Sequence, residues 1–341
     1  MKPTVYDIAV HAGVGLATVD RVLNNRPGVS PSTRAKVDAA IETLGYVRDV
    51  AAANLAKGRV YPLTFILPSN DNSFMRGLRS EVDLAVARSA TERLAIRIVD
   101  VPAFDARALD AALFAALLEK PAGVALVAID APEVARAVDL LAEAGIPVVT
   151  LVSDLSGSRR DHYAGVDNIA AGRTAASLLG RFLGGRRGSV AVLAGSMLVR
   201  DHRDRFEGFR DVMAAEFGHL RVLPVLEGRD DPATAEKVLG RALSDHDDII
   251  GVYSLGAGNR GLIRALKQAR FERRPAVIAH ELTETTRAAL TEGVIDAVLN
   301  QDAGHEVRSA IRVLKAKADG LPVIAAQERI RLDIFLRDNL P

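Results

Sequence analysis

Apolar positions at the front of the chain recur with a helical period. Val5, Ile8, Ala9 and Ala12 fall at i, i+3, i+4 and i+7, which gathers them on one face of a 3.6-residue turn. Thr4, with Asp7 three residues on, supplies a start cap. Gly13-Val14-Gly15 then interrupts the run, and glycine tolerates the positive φ of a sharp turn. In the next short helix Val19, Val22 and Leu23 face inward, while Ala17, Asp20, Arg21 and Asn24 line the opposite side. Ser30-Pro31 opens a third helix, in which Val37, Ala40, Ile41 and Leu44 repeat the spacing before Gly45 stops it. Two short helices across a glycine turn, closed by a third, suit a helix-turn-helix that lays small, amide and guanidinium side chains on DNA. The same pattern also suits a small helical subdomain with an ordinary solvated face.

From Pro62 the pattern changes to apolar runs of strand length alternating with helical stretches. Strands are predicted at Leu63–Leu67, Ile96–Val101, Gly123–Ala128 and Val148–Val152, with helices at Phe74–Leu94, Ala106–Glu119 and Glu133–Ala144. After Asp167 the alternation recurs, with strands near Val190–Leu193, Leu220–Val225, Ile249–Tyr253, Ala276–Ala279 and Ala297–Leu299, each followed by a helix. Continuous apolar strands with helical crossovers mean parallel sheets covered on both faces. Two such half-sheets in tandem predict an α/β core of two lobes with a cleft between them. Between head and core, Asp49 to Ala56 reads as an alanine-rich linker, helical or frayed.

At 341 residues, a prior of about 150 per domain gives two or three domains. The absence of cysteine excludes disulfides and thiolate metal sites and fits a cytoplasmic protein. No apolar segment follows Lys2 as a secretory signal would require, and no run approaches the ~18 apolar residues of a membrane span. The net charge of +1 conceals an asymmetry: residues 1–59 carry eight Lys/Arg against five Asp/Glu. A basic front on a near-neutral body suits a DNA-binding head on a larger core.

Tyr6-Asp7-Ile8-Ala9, Ala12-Gly13-Val14, Thr18 through Asn24, Val29-Ser30 and Thr33-Arg34 resemble the headpiece of the lactose-repressor family of bacterial transcription regulators. The likeness runs through Gly45-Tyr46 to Asn54-Leu55-Ala56. It implies a headpiece at residues 1–48, a hinge helix and linker at 49–60, and an effector-binding core at 61–341. The core is expected to resemble the periplasmic sugar-binding fold, with one lobe at about 61–163 and 302–328 and the other at about 164–300 and 329–341. In that fold the chain crosses between lobes three times, so the segment after Gln301 should return to the first lobe. The resemblance further implies a homodimer on double-stranded, palindromic operator DNA, a small polar effector such as a sugar or polyol, no cofactor, no metal and no membrane. Tyr6, Leu16, Ala17, Thr18, Arg21 and Asn24 are the implied DNA contacts, joined by Ala52 and Leu55 of the hinge, where Leu55 would wedge into a minor-groove step. Three positions depart from the family pattern. Gly15 and Asp20 both stand where serine is usual, and Arg48 stands where a proline is usual. Asp20 would have to accept from a cytosine amino group or be repelled by phosphate.

In open α/β sheets ligands bind beyond the carboxyl ends of strands. By likeness to ribose-binding relatives, Asn72 and Phe74 after the first strand match a sugar-contacting amide and aromatic. Ser153 and Asp154 end the fourth strand. Arg205 matches the family arginine, Glu281 stands where relatives carry an aspartate, Gln301 matches a glutamine at the lobe crossing, and Asn259 supplies an amide. One stretch points elsewhere. Gly256-Ala257-Gly258-Asn259-Arg260-Gly261 follows a strand with Glu281 about twenty residues on, which is the dinucleotide fingerprint and would suit a redox sensor or an NAD-dependent enzyme. Signatures of other enzymes are absent: there is no Gly-x-Ser-x-Gly elbow and no Walker loop, and His280-Glu281 and His305-Glu306 lack a second zinc-binding histidine. Ser196, Asp201 and His202 read as loop polars rather than as a triad.

Overall fold

The structure is a computed structural model that describes residues 3–47, 58–69, 72–256 and 258–341. The chain divides into two compact units, residues 1–59 and 60–341. Ala52 and Leu55, and with them the expected hinge helix, lie outside the described residues.

In the head, α1 (Val5–Ala12), α2 (Leu16–Leu23) and α3 (Pro31–Leu44) close on Ile8, Ala9, Val19, Val22, Val37 and Ala40. Thr4 and Asp7 form a reciprocal capping box, in which the Asp7 carboxylate accepts the Thr4 backbone N–H at 2.7 Å. Gly13 ends α1 at φ 64°, the left-handed conformation the turn needs. α2 starts at Gly15 with no side chain to cap it.

The second unit opens with β1 (Tyr61–Ser69), α4 (Ser73–Ala87), α5 (Ser89–Glu92), β2 (Leu94–Pro102), α6 (Ala106–Glu119), β3 (Gly123–Leu126), α7 (Pro132–Glu143), β4 (Val148–Leu151) and β5 (His162–Ala164). Its strands form a parallel sheet in the order β2-β1-β3-β4-β5. There follow α8 (Asn168–Leu183), β6 (Gly188–Ala194), α9 (Arg200–Glu216), β7 (Leu220–Val222), β8 (Leu226–Glu227), α10 (Pro232–Asp245), β9 (Ile249–Ser254), α11 (Asn259–Gln268), β10 (Ala276–His280), α12 (Glu284–Thr291), β11 (Ala297–Gln301), α13 (Ala303–Ala318) and β12 (Leu332–Phe335). The second sheet runs β12-β11-β10-β9-β6-β7, with β8 beside β6 and only β12 antiparallel among the described strands. Each sheet has a hydrophobic core on both faces, as the apolar strands require.

After β11 the chain leaves the second sheet. Val307, Ala310, Ile311, Val313 and Leu314 of α13 join the core of the first sheet, and β12 then returns to pair with β11. With the passage from β5 into α8, the two lobes are therefore linked by three crossings.

Two details differ from the sequence pattern. Phe74–Leu94 is not one helix: Leu94 pairs with Tyr61 in the sheet, so the chain must turn first, and Arg93 does so at φ 57°. β5, β8 and β12 are too short, at two to four residues, to show a strand period.

One helix crossing fixes the site that follows. A Cβ at Gly208 of α9 would lie 2.1 Å from the Ile169 carbonyl oxygen of α8, and one at Gly172 would lie 1.9 Å from the Arg205 carbonyl oxygen. Backbone therefore meets backbone, and Arg205 is held beside the start of α8. Gly208→Ala is expected to force the helices apart at a cost of about 1–3 kcal/mol or more. Urea unfolding measures it, and an unchanged midpoint would show that the crossing is loose.

Candidate functional site

The carboxyl ends of both sheets converge on a cavity between the lobes, about 680 Å³ of empty space with its opening to solvent included. Pro68 and Ser153 reach it from the ends of β1 and β4, and Gly256 and Glu281 from just beyond β9 and β10. The two walls differ in chemistry. The first lobe contributes mainly apolar groups, among them Phe74, Val101, Phe104, Leu109, Val127 and Val152. The second contributes Asp201, His202, Arg205, Asp230 and Glu281. Four non-glycine lining residues hold positive φ: Phe104 (61°), Val152 (63°), Asp230 (56°) and Glu281 (69°). Such conformations cost about 1–3 kcal/mol each and gather at ligand sites. Their concentration here marks the cavity as a place where side-chain direction outweighs backbone comfort.

Arg205 organises the polar wall. It is 1% exposed, and its guanidinium donates to Asn168 Oδ1 at 2.7 Å, to the Leu255 carbonyl at 2.6 Å and to Glu281 Oε1 at 3.4 Å. Glu281 Oε1 also accepts from Gln301 Nε2 at 2.9 Å, whereas Oε2 has no hydrogen-bond partner. Burial raises the Glu281 carboxyl to about 7, against the opposing pull of Arg205 and Gln301. Behind it, burial and the neighbouring Glu281 push Glu306 well above the ordinary carboxylate range, and neither of its oxygens has a hydrogen-bond partner.

The remaining expected effector residues sort by what already holds them. Asn72 caps α4 by accepting from the Phe74 and Met75 N–H groups, and its amide donates across the cleft to Asp230 Oδ2 at 3.0 Å. Phe74 and Ser153 line the cavity, with Ser153 Oγ buried and without a partner. Asp154 does not line it. Its carboxylate accepts from Arg160 Nε and Nη2, the Thr150 hydroxyl and the Leu155 N–H. Burial pushes that carboxyl up, but these bonds outweigh it and hold the group below its ordinary range. Asn259 ties β9 to β10, accepting from Ser254 Oγ and donating to the His280 carbonyl at 2.8 Å each, and it lies beside a neighbouring recess. Gln301 stands behind Glu281 and not in the cavity wall.

Asp201 and His202, read from the sequence as loop polars, instead sit in the first turn of α9 and line the cavity. A signal existed: Asp201 and Arg205 are four apart, on one helix face. Asp230, Phe104 and Val152 gave no comparable signal, because loops bring them in.

The glycines of the fingerprint serve packing. A Cβ at Gly261 would lie 2.1 Å from the Pro232 carbonyl oxygen, one at Gly258 would lie 2.8 Å from Ala235 Cβ, and one at Gly256 would lie 2.8 Å from Arg205 Nη1. Glu281, the acidic residue of that pattern, is engaged by Arg205 and Gln301. Among the described residues no cluster suited to a metal occurs.

On the head, Tyr6, Leu16, Ala17 and Arg21 are exposed, while Thr18 and Asn24 are half-buried. Asp20 is not left facing DNA unpaired. Asn24 Nδ2 donates to its Oδ1 at 2.7 Å, and Arg26 donates to its Oδ2 at 3.2 Å. The same Asn24 amide also reaches the Asp20 carbonyl at 2.8 Å, so this candidate base-reading group is engaged within the helix.

Two parallel α/β lobes, joined by three crossings around a shared cavity, define a protein of the two-lobed periplasmic-binding type. Residues 63–322 match the family model of the periplasmic binding protein domain, and residues 4–49 match that of the lacI family of bacterial regulatory proteins. The chain belongs to the periplasmic binding protein domain family over its body and carries a lacI-type helix-turn-helix domain at its front.

Among curated proteins it is similar to the HTH-type transcriptional regulator CelR of Thermobifida fusca, at 29% identity over 63% of this chain and 62% of that one. It is also similar to the HTH-type transcriptional regulator DegA of Bacillus subtilis, at 26% over 62% and 61%. Catabolite control protein A of Priestia megaterium is 41% identical over 24% of this chain and 25% of its own. The chain thus spans from a quarter to under two-thirds of these relatives. Among solved structures, GanP, a glucose-galactose binding protein from Geobacillus stearothermophilus, superposes with a TM-score of 0.74 at 20% identity, covering 83% of this chain and 99% of that one. A putative LacI transcriptional regulator from Bacteroides fragilis gives 0.70 at 18% identity, covering 82% and 98%. At these identities the superpositions establish the fold.

Proposed function

We propose that this protein is a transcription regulator, and not an enzyme, that binds a palindromic operator as a homodimer in the cytoplasm. A small polar effector, a sugar or polyol, controls it from the cleft between the lobes. One observation carries the reading: a lacI-type head shares a chain with a cavity whose walls come from both lobes and are joined across it by Asn72 and Asp230. A ligand touching both walls binds the closed arrangement better and shifts the lobe equilibrium by that difference. On the operator, Leu16, Ala17, Thr18 and Arg21 read the major groove with Tyr6 and Asn24 beside them, and Ala52 and Leu55 of the linker enter the minor groove. Named relatives that are regulators support the reading.

Removing one guanidinium contact to a base or phosphate costs about 1–3 kcal/mol, so Arg21→Ala is expected to weaken operator binding about 5- to 150-fold. Its ligand-induced rise in melting temperature should match that of the wild type. Mobility shifts over a salt series measure the first, and affinity should fall steeply with salt as counterions are released. A wild-type protein with no preferred sequence in a genomic fragment library would sink the regulator reading. By linkage, operator DNA must change effector affinity by the same factor as effector changes operator affinity.

A further inference from the structure

The cavity wall is unbalanced in charge and in hydrogen-bonding capacity. Its lining residues include three carboxyl groups, Asp201, Asp230 and Glu281, against one guanidinium, Arg205, and no lysine. Three of the five Arg205 N–H groups go to Asn168, Leu255 and Glu281. Asp230 accepts from Asn72. Asp201 is different. It is 7% exposed, and among the described residues its carboxylate has no hydrogen bond, only His202 Nε2 at 3.7 Å.

The His202 ring does not relieve it. Nδ1 is anchored on Ser196, 2.9 Å from its carbonyl oxygen and 3.3 Å from its N–H, and Nε2 stays 3.7 Å from Asp201 Oδ2, beyond hydrogen-bond distance. A second buried oxygen of the cavity's residues is also without a hydrogen bond, since Glu281 is 3% exposed and its Oε2 is unpartnered. Facing these groups, Phe74, Phe104 and Val152 offer an apolar surface of the kind the C–H face of a sugar ring covers. Burying a carboxylate without a cation or donors is costly, and a ligand that brings both removes the cost.

We propose that the cavity selects an amine-bearing carbohydrate, whose ammonium lies against Asp201 while its ring covers the apolar wall of the first lobe. The inference rests on the carbohydrate reading above and narrows it. An ammonium carries three donors and no acceptor, which is what this corner lacks. Sugar phosphates and sugar acids would instead meet the carboxyl groups and be repelled.

The test uses the full chain at neutral pH and matched probes: glucosamine, galactosamine and mannosamine, each against its parent hexose, its N-acetyl derivative and the parent's 6-phosphate. Melting temperature serves as the screen and calorimetry gives the affinities. One amino sugar is expected to bind about tenfold or more tightly than its parent and its N-acetyl derivative, as a charge-assisted contact implies. Asp201→Asn, which keeps the shape, should cut that preference to about threefold or less. A parent hexose or a phosphate that binds as tightly as the amino sugar overturns the inference and leaves the carbohydrate reading standing. So does an Asp201→Asn protein that keeps the full preference. If no member of the panel binds, the carbohydrate reading falls and the inference falls with it. The comparison of amine with N-acetyl derivative needs only the wild type, so it decides the matter even if the variant fails to fold.

Discussion

Arg205→Ala is expected to lower the unfolding free energy of the body by about 3 kcal/mol or more, the cost of leaving three buried acceptors without their donor. The guanidinium is 1% exposed and joins three segments that are remote in sequence: the start of α8 through Asn168, the end of β9 through the Leu255 carbonyl, and Glu281 beyond β10. Removing it leaves Glu281 with Gln301 alone, and leaves a buried carbonyl and a buried amide oxygen without their donor. Ligand response should disappear as well, since Arg205 lines the cavity. Chemical denaturation of Arg205→Ala, Glu281→Gln and the double variant separates the terms. At alkaline pH, where Glu281 ionises, the double variant should be more stable than Arg205→Ala, because a buried carboxylate without its cation is then gone. If Arg205→Ala unfolds at the wild-type midpoint, Arg205 is a ligand contact and not the hub of the second lobe.

The second large effect is a dependence of stability on pH that Glu281 imposes. Burial raises its folded-state carboxyl from the ordinary 4.5 to about 7, while Arg205 and Gln301 oppose the rise. In the sign of the linkage, the folded protein then holds this proton more tightly than the unfolded chain does. The contribution is fully present below 4.5 and is lost as pH climbs to about 7. A shift of that size corresponds to about 3 kcal/mol. Glutamine at position 281 does not titrate. Wild type should therefore lose about 3 kcal/mol relative to Glu281→Gln between those two pH values, and the two curves should run parallel above them. Glu306, also held protonated by burial, is present in both proteins and largely cancels in the difference. A difference that is flat with pH, or that rises with it, would show that Glu281 is ionised in the fold and stabilised by its partners.

The sequence by itself determined whatever depends on neighbours a few residues away. The Thr4–Asp7 cap, the Gly13 turn and the inward Val19 and Val22 follow from helical spacing, because helix faces and caps are set within one or two turns. The alternation of apolar strands with helices likewise requires two-sided parallel sheets, since such strands can be buried no other way. The rule that ligands meet the carboxyl ends of strands pointed to the loops carrying Asn72, Ser153 and Glu281, which line the cavity.

Only the tertiary structure decided which polar groups remain available there. Asp154 and Asn259 occupy the expected loops but are satisfied by Arg160 and by the His280 carbonyl. Asp20 is engaged by Asn24 and Arg26 before any DNA arrives. Asp201 and His202 have the look of ordinary surface polars, yet they close the cavity. A side chain's chemistry is printed in the sequence, but its vacancy is set by partners that packing brings from afar. Arg205 finds Asn168 across 37 positions and Leu255 across 50, and no local period encodes such meetings.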